Sequence, residues 1–467
     1  MNENPVALLP ELLLLGSAVF GLLLGAWTPR RHQGRIRWLA TAACVAGLAA
    51  TAAGALAPPQ LVFGASYAID PTTTATRAIV LVATLLAIWL SADAVAGHPR
   101  EAEYTVLVQL AALGAIVMGG AQDLLLLAAA FLLASVPLYA LAGWAADGRA
   151  TEAAMKYYLS GAFTGVALLA GVTLLYGAGG ATGYPALRVG LAAGPAAVAA
   201  VGLVAVLAGL MFKAGAVPAQ FWVPDVTDGT PAPVAAVVTT IPKIGALVAT
   251  YRLLVEAVPA AVVDWPLLVA VIAAASVTLG NLGAFFQTSV QRLLAYSTIS
   301  QVGYLLMGVA VAGRSTLALP GLLFYLAGYA VTNLAVFAVA AAVPTARTLD
   351  DHRGLARRRP LLAASLVVGL LGLVGTPPTA VFLGKLTLFT AAVDGGMAWL
   401  AVLAVVNTVA SVFYYLRWIA PAFAAPDPEH PLPGGRTPVA TTVAVTAAVA
   451  SVVLGIAGGA VLPLLGR

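Results

Sequence analysis

The sequence predicts an all-α protein that crosses a membrane about fourteen times. Three observations carry this. Of 467 residues, 61% are hydrophobic and only 9% are charged, whereas soluble domains carry roughly 25% charged residues. The apolar residues come in long runs rather than in the short alternating segments of a β-barrel. A helix needs about 20 such residues to cross the hydrocarbon, and most runs reach that length. Polar connections are short; the longest is PTARTLDDHRGLARRRP, residues 344–360, which holds five arginines.

Composition also excludes several kinds of chemistry. The one cysteine, Cys44, lies in an apolar run, so disulfides, iron–sulfur ligation and structural zinc are not expected. His32, His98, His352 and His430 all fall in polar connections, away from any haem-binding position in a span. No glycine-rich dinucleotide or phosphate loop is present. The net charge of +5 reads as basic connections facing the cytoplasm, with no nucleic-acid partner. Arg30, Arg31, Arg35 and Arg37 follow the first apolar run. A secretory signal carries its positive charges before the apolar core, so this run reads as a retained first span.

The expected spans lie near 6–27, 37–57, 74–94, 103–119, 123–145, 153–176, 195–222, 232–256, 265–287, 290–312, 317–343, 361–392, 397–421 and 438–463. With the N-terminus outside, the connections after odd-numbered spans hold or adjoin fourteen arginines, Arg436 among them, against five on the other side, Arg467 among them. The excess of basic residues on cytoplasmic connections supports this count and places both termini outside.

Lysine usage points to function. Nineteen arginines stand beside only four lysines, Lys156, Lys213, Lys243 and Lys385, and each lysine falls in a span. A GC-rich gene explains arginine at the surface but not lysine inside. Arginine is effectively always protonated, whereas a lysine held away from water can release its proton. Lys156 has Glu152 four residues earlier on the same helical face, the arrangement of a surface pair. Lys213 follows 24 uncharged residues and precedes Pro218. Lys243 follows Pro242 near the middle of its span, and Lys385 follows Pro377 and Pro378 in an unusually long span. Proline breaks a helix, and inside a bilayer the freed backbone must face protein or a wet cavity. An ionisable residue beside such a break is a candidate for moving an ion or a proton. Three buried amines can pass protons through neutral polar groups such as Ser297, Thr298, Gln301 and Tyr304. Lys213 and Lys385 also fall in the fourth spans of two successive five-span units, which points to duplication.

The stretches EAAMKYYLSGAFTGVALLAGVTLLYG, FKAGAVPAQFWVPDVTDGTPAPVAAVVTTIPK and QRLLAYSTISQVGYLLMG, together with RGLARRRP followed by GTPPTAVFLGK, resemble the subunit N family of proton-translocating NADH:quinone oxidoreductases. These enzymes are respiratory complex I, and the likeness runs from about Tyr67 to Tyr415. The resemblance implies fourteen helices with two inverted five-helix repeats, each containing a broken helix. It implies a three-helix segment over 1–102, repeats over 103–257 and 258–422, and a C-terminal helix within 423–467. Lysines of the family's proton path match Lys213, Lys243 and Lys385. No cofactor is expected on this chain: NADH, FMN, the iron–sulfur clusters and quinone belong to other subunits. The implied partners are K-, M-, L-, J- and A-like membrane-arm subunits in a bacterial plasma membrane. Two positions depart from the family. Leu132 stands where a glutamate usually partners the seventh-helix lysine, leaving Asp123, Asp225 or a neighbour's acid as substitutes, and Gln301 stands where a histidine is frequent. A structural or impaired-channel subunit, an Mrp-type cation/proton antiporter and a hydrogenase-type membrane subunit are the alternatives. No histidine lies between His98 and His352, which disfavours the antiporter.

Overall fold

A computed structural model of the chain describes residues 5–426 and 437–466. His430, Arg436 and Arg467 lie outside the described residues. The helices follow the apolar runs. The first half holds α1 (Leu9–Trp27), α2 (Gly34–Gly54), α3 (Pro71–Leu90), α4 (Ala92–Val95), α5 (Glu101–Gly120), α6 (Leu124–Leu133), α7 (Val136–Ala142) and α8 (Gly148–Gly179). Next come α9 (Tyr184–Ala193), α10 (Ala196–Ala214), α11 (Trp222–Gly229), α12 (Ala232–Arg252), α13 (Trp265–Phe285) and α14 (Val290–Ala310). The rest are α15 (Ala318–Ala342), α16 (Leu355–Arg358), α17 (Pro360–Val374), α18 (Ala380–Asp394), α19 (Ala398–Phe423) and α20 (Pro438–Leu465). A small antiparallel hairpin, β1 (Gln60–Val62) with β2 (Tyr67–Ile69), precedes α3.

Helix starts are set locally. Asp70, Asp123, Asp147, Asp264 and Ser289 each accept a backbone N–H of the first turn of α3, α6, α8, α13 and α14. Pro71 and Pro266 sit in the first turn, where a missing N–H costs nothing.

Among the described residues thirteen helical stretches are long and apolar enough to cross a membrane. Residues 360–394, α17 with α18, form a fourteenth stretch interrupted at 375–379. The count of fourteen therefore holds, and the edges move for physical reasons. The seventh span, expected over 195–222, ends at Ala214 because Gly215 takes a left-handed conformation with φ +77°. The fifth, expected as continuous over 123–145, is interrupted at Ala134 and Ser135, just before Pro137.

Helices α12, α14 and α15 form the almost wholly buried centre. Large apolar side chains on α8, α19 and α20, such as Phe163, Phe413 and Ile456, face outward. In water such a surface is an interaction site or a liability; against lipid it is the required surface. Two buried ionic groups brace the N-terminal helices, one among themselves and one to α12 and α5. Arg77 of α3 pairs with Glu11 of α1 at 2.7 Å, and Arg252 of α12 reaches Asp70 at 2.6 Å and the Gly119 carbonyl of α5 at 2.7 Å.

Candidate functional site

Both broken stretches are built the same way. Gly215 and Gly375, each with positive φ, end α10 and α17, and a cis proline, Pro218 or Pro378, follows three residues later. In each case the glycine N–H turns back on the last turn, and the next residue's N–H reaches the same distant carbonyl. Ala216 bonds Met211 at 2.9 Å, and Thr376 bonds Leu371 at 3.1 Å. This is a Schellman-type stop.

At the second break Pro377 and Pro378 occupy the positions whose N–H groups would have bonded the Leu373 and Val374 carbonyls. The Lys385 ammonium takes both carbonyls instead, at 3.2 and 2.9 Å. The ammonium also stands 4.0 Å from the centre of the Tyr304 ring. Tyr304 thus offers its face to the amine, while its hydroxyl accepts from Thr408 at 3.2 Å.

A neutral polar chain leads inward from there. Gln301 donates to the same Leu373 carbonyl at 2.8 Å and accepts from the Tyr325 hydroxyl. Tyr415 lies between Gln301 and Ser297, bonding both. Next to Ser297, Thr298 bonds Tyr329 at 3.2 Å, and Tyr329 donates to the Thr239 carbonyl at 2.9 Å. Asn333 bonds Thr239 and Thr240 at 3.2 and 2.9 Å. Those threonines lie one turn before Lys243 on α12. Gln301 and Ser297 therefore share one bonded cluster through Tyr415, and Thr298, the next residue on α14, starts a second cluster that runs to Thr239. Tyr325, Tyr329, Tyr415 and Asn333 are added by the fold. Nothing in a single sequence distinguishes these four from core side chains.

Lys243 is fully buried, and its ammonium has no hydrogen-bond partner among the described residues. It lies against the first break: a methyl group at Gly215 would come within 3.0 Å of its nitrogen. Lys213, two residues before that glycine, is also fully buried. It bonds the Ser135 hydroxyl and the Ala134 carbonyl, the latter at 3.3 Å, and stands 4.8 Å from the centre of the Phe131 ring. All three of these partners are uncharged.

The remaining expected residues sit elsewhere. The Lys156 side chain is 46% exposed and bonds Glu152 and Asp225, both at 2.8 Å. Lys156 is thus a surface pair, separate from the buried amines. Asp225 also bonds Arg292 at 3.1 Å, and Asp123 caps α6; neither reaches Lys213. Leu132 is half exposed on the outer side of α6.

Three buried amines, two of them on helices broken within the apolar bundle and Lys243 on the continuous α12 against the first break, define a membrane subunit of the antiporter-like class. Residues 121–411 match the family described as "NADH:quinone oxidoreductase/Mrp antiporter, TM". The chain is 62% identical to NADH-quinone oxidoreductase subunit N 1 of Streptomyces griseus, over all of this chain and 98% of that one. It is 51% identical to NADH-quinone oxidoreductase subunit N of a Mycobacterium species, over 98% and 97%. It shares 33% identity and a TM-score of 0.82 with a chain of respiratory complex I from Thermus thermophilus, solved with bound aureothin, covering 97% and 98% of the two. The chain belongs to this family, in its NADH-quinone oxidoreductase subunit N branch.

Proposed function

We propose that this chain is a proton-translocating subunit of the membrane arm of respiratory complex I, with Lys213, Lys243 and Lys385 as its proton carriers. The observation that supports this best is the shared Leu373 carbonyl. There the Lys385 amine and the Gln301 amide meet, and from there neutral polar groups run to within one turn of Lys243. Buried amines are expensive in a bilayer and persist where they serve transport. Tyrosine, serine, threonine and glutamine side chains both donate and accept, so they can relay a proton without carrying a charge. The chain divides into an N-terminal segment over 1–102, five-helix units over 103–257 and 258–422, and a C-terminal helix within 423–467. Both termini lie outside a bacterial plasma membrane. NADH, FMN, iron–sulfur and quinone chemistry reside on other subunits, and the K-, M-, L-, J- and A-like membrane-arm subunits are the partners.

The test is proton uptake by the assembled complex in vesicles. Lys385→Ala and Lys243→Ala should each abolish the share carried by this subunit while the complex still assembles. Wild-type uptake in both variants would refute the reading. A second reading, a subunit whose first half-channel is impaired, rests on the uncharged surroundings of Lys213. It expects Lys213→Ala to pump like the wild type while Lys385→Ala does not.

A further inference from the structure

The contacts of Lys213 raise a specific question. A buried ammonium without a counter-ion needs other acceptors, and among the described residues no carboxylate lies within bonding distance of it. The acidic groups of the neighbouring elements are engaged elsewhere. Glu152 of α8 pairs with Lys156, Asp123 caps α6, and Asp225 of α11 binds Lys156 and Arg292.

The interruption of the fifth span supplies what is missing. Pro137 lacks an N–H, so the helix cannot continue through Leu133 with its normal ladder. The Leu138 and Tyr139 amides both turn to the Ser135 carbonyl, at 3.0 and 3.2 Å. The Ala134 carbonyl is left without a backbone donor and points its partial negative charge at the end of α6. Ser135 donates its hydroxyl hydrogen to the Phe131 carbonyl. That bond fixes the rotor and leaves an oxygen lone pair for the ammonium. The ring of Phe131 closes the third side. The Leu132 side chain is half exposed; its carbonyl accepts the Ser135 N–H at 3.0 Å, and it makes no hydrogen bond to the ammonium.

We propose that Ser135, with the freed Ala134 carbonyl and the Phe131 ring, forms a neutral cradle that positions the Lys213 ammonium in place of a carboxylate. Ser135 is a positioning residue for the proton carrier. The inference rests on the reading of Lys213 as a carrier and deepens it: the first half-channel is intact, held by helix-end dipoles and a hydroxyl.

The experiment uses the full complex, with proton uptake in vesicles normalised to assembled enzyme on a native gel. Ser135→Ala should lower the share of uptake that Lys213→Ala removes by about tenfold, the scale of one lost hydrogen bond to a charged group. Ser135→Thr keeps the hydroxyl and should restore it, a rescue that a merely structural role would not produce. Phe131→Leu should cause a smaller loss, about threefold, as expected for one cation–π contact. It decides the matter if Ser135→Ala fails to assemble. Wild-type uptake in assembled Ser135→Ala, or in Phe131→Leu if that variant alone assembles, overturns the cradle. Wild-type uptake in Lys213→Ala overturns the carrier reading itself, so the two failures are distinguishable.

Discussion

Lys213 and Lys385 both end on carbonyls at the C-terminus of a half-helix, but they reach them differently. Lys385 folds back within its own broken stretch, from α18 to α17, onto the two carbonyls that Pro377 and Pro378 leave without donors. Lys213 crosses from α10 to the interruption between α6 and α7. The lysines also sit on opposite sides of matching breaks, Lys213 before Gly215 and Lys385 after Gly375. The break is thus the repeated feature, and the amine has been fitted to it twice in different ways. Their surroundings differ as well. Lys385 is tied to a network of Gln301 and three tyrosines, whereas Lys213 rests on one hydroxyl and one carbonyl.

This difference predicts which site tolerates loss. Gln301→Leu removes the partner of the Tyr325 hydroxyl and one donor to Leu373. Each buried group left unpaired costs about 1–3 kcal/mol. The substitution should therefore lower the thermal stability of the complex by several degrees and cut proton uptake together. Ser135→Ala should cut uptake with little change in melting temperature. Equal stability losses in the two variants would erase the contrast between a networked and an isolated amine.

A titration in the connection between α15 and α17 sharpens the contrast. His352, in the connection before α17, is fully buried against Trp418. Burial pushes its imidazole down to about 4, with a contact to the Thr348 carbonyl and nearby Asp351 only partly opposing. A base lowered in the folded state is bound by protons first in the unfolded chain. Stability from this group is therefore complete above about pH 6.5 and is lost as pH falls toward 4, by about 3 kcal/mol in all. His352→Gln should flatten the fall in melting temperature between pH 6.5 and 4. An unchanged slope would mean that the imidazole is not buried as a neutral ring.

Much of the fold was legible because membrane helices leave few choices. Long apolar runs, prolines and arginine placement led to fourteen spans, and four lysines in a chain rich in arginine singled out the amines. The stop at Ala214 and the interruption at Ser135 were less legible. A proline reveals that a helix breaks but not which carbonyl it frees or which side chain then fills it. Only the resemblance marks Leu132 as the altered partner position. The contacts of Lys213 lie instead on the face of Phe131, Ala134 and Ser135, and only the packing of α6 against its neighbours could show that. Nothing in the sequence separates Tyr325, Tyr329 and Tyr415 from ordinary core aromatics, because their hydroxyl partners come from helices distant in sequence.

A smaller stability effect than that of His352 tests whether the matching breaks do matching work. Gly215 and Gly375 both hold left-handed backbone, so Gly215→Ala and Gly375→Ala should each cost about 1–2 kcal/mol of conformational strain. Their neighbours differ. The new methyl at 375 would meet the aliphatic stem of Lys385 at 3.0 Å, which a flexible chain can yield to. The new methyl at 215 would meet the Val223 side chain at 2.9 Å and the charged end of Lys243 at 3.0 Å. Similar melting temperatures are therefore expected, but a larger loss of proton uptake for Gly215→Ala, because it displaces the amine itself. If uptake falls equally in both variants, backbone strain explains the loss, and Lys243 is not functionally seated against the first break.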